Sequence, residues 1–273
     1  MAGYGGDAAR RMASWARIGA VDACRGQRSS FACDAYKGYH PVLLNAAITH
    51  VTFDCYGTLI DWEQGILTAL TPWLARSGVK VPVEAILRSF LEHEARIESQ
   101  SWRSYRDVLR GVMMGMAADF QDELPYSKVS LLVDSLPEWP PFADTIESLR
   151  KLSERFCLVV ISNTDDALFA ATQQRLKVSF DHVITAEQVK SYKPGKAHFN
   201  EALRRLDVPV SRILHVAQSL YHDHVPAKEL GFRTAWINRP SRLADRGLAP
   251  EASVKPDYMF TDLGGLVAAL WKH

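Results

Sequence analysis

Ile48-Thr49-His50-Val51-Thr52-Phe53-Asp54-Cys55-Tyr56-Gly57-Thr58-Leu59 is the stretch from which the rest of the chain is read. Ile48–Phe53 is short, apolar and β-branched, the composition of a buried strand. Asp54 follows at its tip, and Gly57-Thr58 makes the turn. A carboxylate in that position suggests a nucleophile that forms a covalent intermediate. Tyr56 limits the chemistry. A second acid there would protonate a leaving group, whereas tyrosine, with an unperturbed pKa of about 10, is poorly suited to that role. Cys55 is the competing nucleophile. Successive strand residues point to opposite faces, however, so Asp54 and Cys55 cannot both face a site.

Downstream, β-rich runs alternate with helical patterns. Strands are expected at Cys157–Ile161, His182–Ile184, Ile213–Val216, Thr234–Ile237 and Tyr258–Phe260. Helices are expected at Ala143–Ser153, Asp166–Arg175, Lys196–Leu206, Asp223–Leu230 and Leu263–Trp271. This alternation predicts an α/β fold, an open parallel sheet with helices on both faces. Its ligand site would lie beyond the carboxyl ends of the strands, where Asp54 and Ser162-Asn163 sit. Trp62–Leu136 breaks the pattern. Val83, Ile86, Leu87, Phe90 and Leu91 recur at helical spacing, as do Tyr105, Val108, Leu109, Val112 and Met113. Pro137–Pro141 marks the return hinge. The expected organisation is a Rossmann-like core from 46–61 and 140–273, a helical cap at 62–139, and a loosely ordered extension at 1–45. Met113, Met114 and Met116 read as packing within the cap.

Composition excludes several classes. Of 273 residues 47% are hydrophobic and 23% charged, with a net charge of +1, so neither nucleic acid nor an anionic membrane is an expected partner. The longest apolar stretches, such as Phe156–Ile161, are strand-sized, and none approaches a membrane span. Four cysteines without metal spacing read as reduced thiols in a cytoplasmic protein. Met1–Asn45 holds six basic against three acidic residues and lacks the apolar centre of a secretory signal.

Asp54-x-Tyr56-Gly57-Thr58 resembles motif I of the haloacid dehalogenase superfamily, in the version carried by type II (L-2-haloacid) dehalogenases. The superfamily's phosphatases have Asp where this chain has Tyr56. Ile161-Ser162-Asn163-Thr164 is similar to motif II, whose hydroxyl bonds the nucleophile or substrate and whose Asn helps hold the departing halide. Thr164 replaces the usual glycine, so a narrower pocket floor is expected. Ser191-Tyr192-Lys193-Pro194 resembles motif III, whose lysine pairs with the nucleophile. An ammonium there keeps Asp54 ionised and stabilises charge during ester attack. Phe199 stands where type II dehalogenases carry a tyrosine.

His215-Val216-Ala217-Gln218-Ser219-Leu220-Tyr221-His222-Asp223 follows the spacing of motif IV. Phosphatases read Gly-Asp-Ser at Ala217-Gln218-Ser219, and that acid helps hold Mg²⁺, a cation that prefers oxygen ligands. Gln218 offers a carbonyl without charge. The chain therefore lacks both a general acid and a metal carboxylate. Losing the acid costs about 10²–10⁴-fold, and losing the metal removes several kcal/mol of charge stabilisation. A phosphate ester can spare neither. A carbon–halogen bond can, because halide leaves as a stable anion.

The resemblance implies a metal-independent, cofactor-free hydrolase that converts a short 2-haloacid to a hydroxy acid through an aspartyl ester. Asp54 attacks, Thr58 and Ser162 orient it, and Lys193 supplies charge. Asn163 contacts the halide, and Asp223 serves as base or base-orienting group. Tyr56, Trp62 and Ser219 complete the substrate wall. Two alternatives stand beside it: a Mg²⁺-dependent phosphatase of a small ester, and a non-catalytic ligand-binding relative. Among the cap arginines, Arg76, Arg88, Arg96, Arg103, Arg106 and Arg110, none is assigned a substrate role. Arg88 and Arg96 flank Glu92 at pairing distance on a helix. A His222-Asp223-His224 metal site is disfavoured, because adjacent residues at a helix start diverge. Asn238 and Arg239 read as framework. Homodimerisation is a further expectation of the resemblance.

Overall fold

The computed structural model describes residues 48–76, 78, 80–120, 124–243 and 254–271. The expected extension at 1–45 lies outside the described residues.

Six parallel strands form one sheet: β1 (His50–Phe53), β2 (Cys157–Ser162), β3 (His182–Thr185), β4 (Ile213–Ala217), β5 (Arg233–Ile237) and β6 (Tyr258–Phe260). Their order is β3-β2-β1-β4-β5-β6. Phe53 stands in register with Val160 on one side and Val216 on the other. The chain leaves β1, builds outward through β2 and β3, then returns to β1's other edge as β4. That reversal opens a crevice at the carboxyl end of β1, where parallel sheets bind ligands.

β2 shows why both faces carry helices. Leu158 and Val160 belong to one apolar cluster, while Val159 and Ile161 belong to another. Alternating side chains thus feed two layers, and the strand reads as a continuous apolar run. Phe199, Ala202 and Leu206 cover the second face from helix Ala197–Leu206.

Among the described residues five α-helices come between β1 and β2: α1 (Trp62–Arg76), α2 (Val83–Glu98), α3 (Tyr105–Asp119) and α4 (Leu131–Ser135) form the insertion, and α5 (Thr145–Ser153) leads into β2. No strand falls within Trp62–Leu136 among the described residues, as its periodicity predicts. The entry and exit of this insertion are tied together where Asp61 N donates to Pro140 O at 2.8 Å and Ile60 bridges Pro141. Val108, Leu109, Val112, Met113 and Met116 are fully buried, whereas Met114 is exposed, so only two of the three methionines pack inside. Arg88 pairs with Glu84 and Arg96 donates to His93, rather than the two sharing Glu92.

Two glycines are required by geometry. Gly57 has φ +97°, the left-handed region open to glycine, and this lets the chain turn sharply after Asp54. Gly65 lies so close to Trp139 that a Cβ would come within 2.2 Å of its ring.

The regular helix expected at Asp223–Leu230 is interrupted. Leu220–His224 forms a π-helical turn capped by Ser219, and the α-helix runs only over Val225–Glu229. Pro226 explains the break, since it has no N–H for a bond to the preceding turn and fits only a helix start. Such wide turns frequently mark functional positions.

Candidate active site

Asp54 is carried by the tip of β1. Thr58 Oγ1 donates to its Oδ2 at 2.7 Å, and Lys193 Nζ donates to its Oδ1 at 2.8 Å. Thr58 Oγ1 also accepts the backbone N–H of Gln218 at 2.9 Å, which leaves its own proton for Asp54. The carbonyl of Cys55 gathers the N–H groups of Thr58, Leu59 and Ile60, closing the loop beneath the carboxylate. Arg239 braces that loop from outside, donating to Thr58 O from Nε and Nη2 and to Asp144 from Nη1. Its reading as framework therefore fits.

Lys193 is 3% exposed and spends all three ammonium donors. They go to Asp54, to Asp223 Oδ1 at 2.7 Å, and to the carbonyl of Ile161 at 3.2 Å. Burial alone would favour the neutral amine. The two carboxylates outweigh it and raise Lys193 above the ordinary lysine range. Asp223 feels the same opposition in reverse. Burial pushes its pKa upward, but Lys193 and then His215 prevail and hold it below the usual carboxylate range. His215 Nε2 lies 3.2 Å from Asp223, and its Nδ1 lies 2.9 Å from Thr52 Oγ1. Because a carboxylate only accepts, Nε2 carries the ring proton and Thr52 donates to Nδ1. For Asp54 burial wins, with Asp223 adding to it, and its pKa is raised despite Lys193 and Thr58.

Asn163 locks Lys193 in place through its backbone. Asn163 Oδ1 accepts from Lys193 N at 2.7 Å, and Nδ2 donates to Lys193 O at 3.3 Å. One amide hydrogen remains for another acceptor. Ser162 departs from its expected duty. Its Oγ is fully buried without a hydrogen-bond partner, so of the two hydroxyls only that of Thr58 reaches Asp54. Ser219 caps the π-turn, accepting His222 N at 3.1 Å. The side chains of His222 and His224 go separate ways, one to Ser219 and one to the carbonyl of Ala217.

A cleft of about 530 Å³ opens above these groups. Asp54, Ser162, Asn163, Lys193, Ser219 and Asp223 line its floor, and Tyr56 and Trp62 its walls. Of the expected site residues only Thr58 lies behind the lining, under the nucleophile. Tyr56 donates to or accepts from Thr172 at 2.9 Å and meets Trp139 edge-on. Burial raises its phenol far above the ordinary value, so it keeps its proton. Cys55 is buried outside the cleft with its thiol pushed up by burial, then by Asp54. Thr164 is buried and absent from the lining, so the narrowed floor does not arise. Phe199 is also out of the cleft, packed edge-on at 5.0 Å against His215.

Three contributions were not foreseen. His215 sits within a quoted motif, and strand alternation puts it on the face opposite Val216. The carbonyl of Ile161 carries no side-chain signal at all. Glu94 and Glu98 also line the cleft, from α2. Their i,i+4 spacing behind Phe90 places them on the apolar face of that helix, and this was the available clue. Glu94 accepts the hydroxyl of Tyr105 at 2.6 Å, and burial lifts its carboxyl to about 7. Among the described residues no arginine lines the cleft. Arg103 donates to Gln100, Arg106 to Asp165, and Arg110 to Asp107 and Ser130.

The donor set fits a divalent cation poorly. Lys193's ammonium occupies the space shared by Asp54 and Asp223, and Gln218 adds no charge. Among the described residues no group of three or more His, Cys, Asp or Glu side chains could hold a metal ion. No helix among them is long and apolar enough to cross a membrane.

The sequence profile described as haloacid dehalogenase-like hydrolase matches residues 48–223. The chain is 31% identical over 233 residues to (S)-2-haloacid dehalogenase 2 of Pseudomonas sp. (strain CBS-3), covering 80% of this chain and 94% of that one. It is 26% identical over 226 residues to an (S)-2-haloacid dehalogenase of Pseudomonas putida, covering 79% and 93%. The solved L-2-haloacid dehalogenase of Xanthobacter autotrophicus superposes with a TM-score of 0.70 at 20% identity, covering 82% of this chain and 99% of that one. At that identity the likeness concerns the fold.

Proposed function

Because the chain belongs to the haloacid dehalogenase-like hydrolase family, we propose that it hydrolyses the carbon–halogen bond of a short 2-haloacid through an ester on Asp54, without metal ion or organic cofactor. The Asp54 carboxylate attacks the halogen-bearing carbon from the side opposite the halogen. A carbon–oxygen bond forms as the carbon–halogen bond breaks, and the halide leaves with the electron pair. The remaining hydrogen of Asn163 Nδ2 is available to that anion. Water then attacks the carboxyl carbon of the ester, and cleavage of its acyl–oxygen bond frees the hydroxy acid and restores Asp54. One proton of the water ends on the product hydroxyl and the other passes to solvent.

Lys193 stabilises the negative charge that develops on the ester during this attack. Asp223 orients the water and fixes Lys193. Its pKa, held below the usual carboxylate range, makes it a poor final proton acceptor, so of the two roles expected for it, orientation is favoured. Tyr56 keeps its proton and forms wall. The observation that carries the proposal is the fixed ammonium between two carboxylates beside a neutral Gln218: one nucleophile held by a cation, with Tyr56 rather than an acid in the place of a proton donor for a leaving group. Halide exit needs no such donor.

The test is halide release from the enantiomers of 2-chloropropionate and longer 2-chloroacids in the presence of EDTA, with Asp54→Asn as control. Release that survives chelation and disappears in the control supports the reading. Mg²⁺-dependent release of phosphate from a general phosphomonoester, with no halide released, would replace it by the phosphatase alternative.

A further inference from the structure

The cleft has a second end with its own chemistry. Among the described residues its lining carries five carboxylates, Asp54, Glu63, Glu94, Glu98 and Asp223, against the single lysine Lys193. Lys193 is already matched by Asp54 and Asp223, and Glu63 is tied to Arg242 and Ser241. The two α2 carboxylates are left over. Glu94 has only the neutral hydroxyl of Tyr105. Glu98 has no hydrogen bond or ion pair among the described residues. The arginines nearby are spent elsewhere, as described above. Ser162, whose Oγ is fully buried and without a partner, also belongs to the lining of this cleft, a polar group that the protein itself leaves unmatched.

We infer that the α2 end of the cleft, formed by Glu94 and Glu98 with aromatic walls from Trp62, Phe90, Tyr105 and Tyr192, binds an ammonium group on the substrate. This rests on the dehalogenase reading and narrows it to a 2-haloacid whose side chain ends in a cation. Two carboxylates held in a partly desolvated cleft repel a second anion and favour a positive charge. The ring faces add cation–π attraction. Size agrees: about 530 Å³ is in the range of drug-sized ligands and far exceeds what 2-chloropropionate fills. Burial, first of all, raises the pKa of Glu98 well above the ordinary value, with Glu94 adding to it, and a cation bound beside the pair would lower it again.

Three matched compounds test this: 2-chlorohexanoate, 6-amino-2-chlorohexanoate and 2-chlorohexanedioate. At a pH of about 8, kcat/KM from halide release is expected to favour the amino compound at least tenfold over the uncharged chain and about a hundredfold over the diacid, the size of one to two charge contacts. Glu94→Gln and Glu98→Gln are each expected to shrink that ratio and to improve turnover of the diacid. Equal turnover of all three by the wild type, or a ratio unchanged in the double variant, overturns the inference. If no compound releases halide, the dehalogenase reading fails, and the cation site is judged by calorimetry alone. Hexylammonium binding the wild type more tightly than hexanoate, with the preference lost in the double variant, sustains it. Equal or reversed preference removes it. The wild-type comparisons remain decisive even where a variant folds poorly.

Discussion

Replacing Lys193 with methionine removes the ammonium between Asp54 and Asp223 while keeping the length of the side chain. Both carboxylates then face each other in a buried site, at 7% and 1% exposure, and the carbonyl of Ile161 loses its donor from Nζ. Breaking a buried ion pair by deleting one partner costs about 3–5 kcal/mol. For a domain of this size, about 2–4 °C per kcal/mol turns that into a fall in Tm of roughly 6–20 °C. The loss depends on pH. In the variant, burial and mutual repulsion push one carboxyl upward, so the folded state binds a proton that the unfolded chain releases near its ordinary value of about 3.9. Stability of the variant therefore falls as pH rises above that value. In the wild type, Asp223 is held low, so its contribution is present above about 3.9 and disappears only as pH falls through its depressed value. The gap between the two proteins should widen from about pH 4.5 to about pH 7.5, measured by thermal denaturation followed by circular dichroism. A variant within about 2 °C of wild type at the higher pH, or an equal deficit at both, refutes the account.

Other expectations follow from single contacts. Thr58→Ala removes the hydroxyl that joins Asp54 Oδ2 to the N–H of Gln218 and leaves both buried groups short of a partner, so stability should fall by about 1–3 kcal/mol. Thr58→Ser should recover most of it in urea titration. Gly65→Ala puts a methyl against the Trp139 ring, and about 1–3 kcal/mol of overpacking should appear as a lower Tm with blue- or red-shifted tryptophan emission. Binding of hexylammonium should strengthen as pH rises through about 7, where Glu94 gives up its proton, with Tyr105 bonded to it and Glu98, itself under the influence of Lys193, as its charged neighbour. Calorimetry across that range should find a flatter profile for Glu94→Gln, and an identical slope would exclude Glu94 as the titrating group.

Much of this protein is written in local pattern. The short apolar runs and their spacing are sufficient for a parallel sheet, because buried strands and amphipathic helices each have a period that burial enforces. The absence of strands over Trp62–Leu136 is legible for the same reason. So are Asp54, Thr58, Lys193 and Asp223, since each occupies a strand end or turn whose sequence is short and specific. Strand ends shift by only one or two residues. The π-turn at Leu220–His224 was less legible, because Pro226 forbids the bond that the helical pattern assumes.

Tertiary structure alone decided the rest. Ser162 and Thr58 are both hydroxyl residues in recognisable motifs, yet only Thr58 reaches Asp54, because a bond depends on where the turn aims a side chain. Asn163 reads as a halide contact but spends most of its amide on the backbone of Lys193, 30 positions away. Glu94 and Glu98 look like ordinary polar residues of a surface helix until α2 is laid across the mouth of the sheet. Sequence determines which elements form, since their energetics are local. The charge that a substrate meets is a sum over residues that only folding brings together.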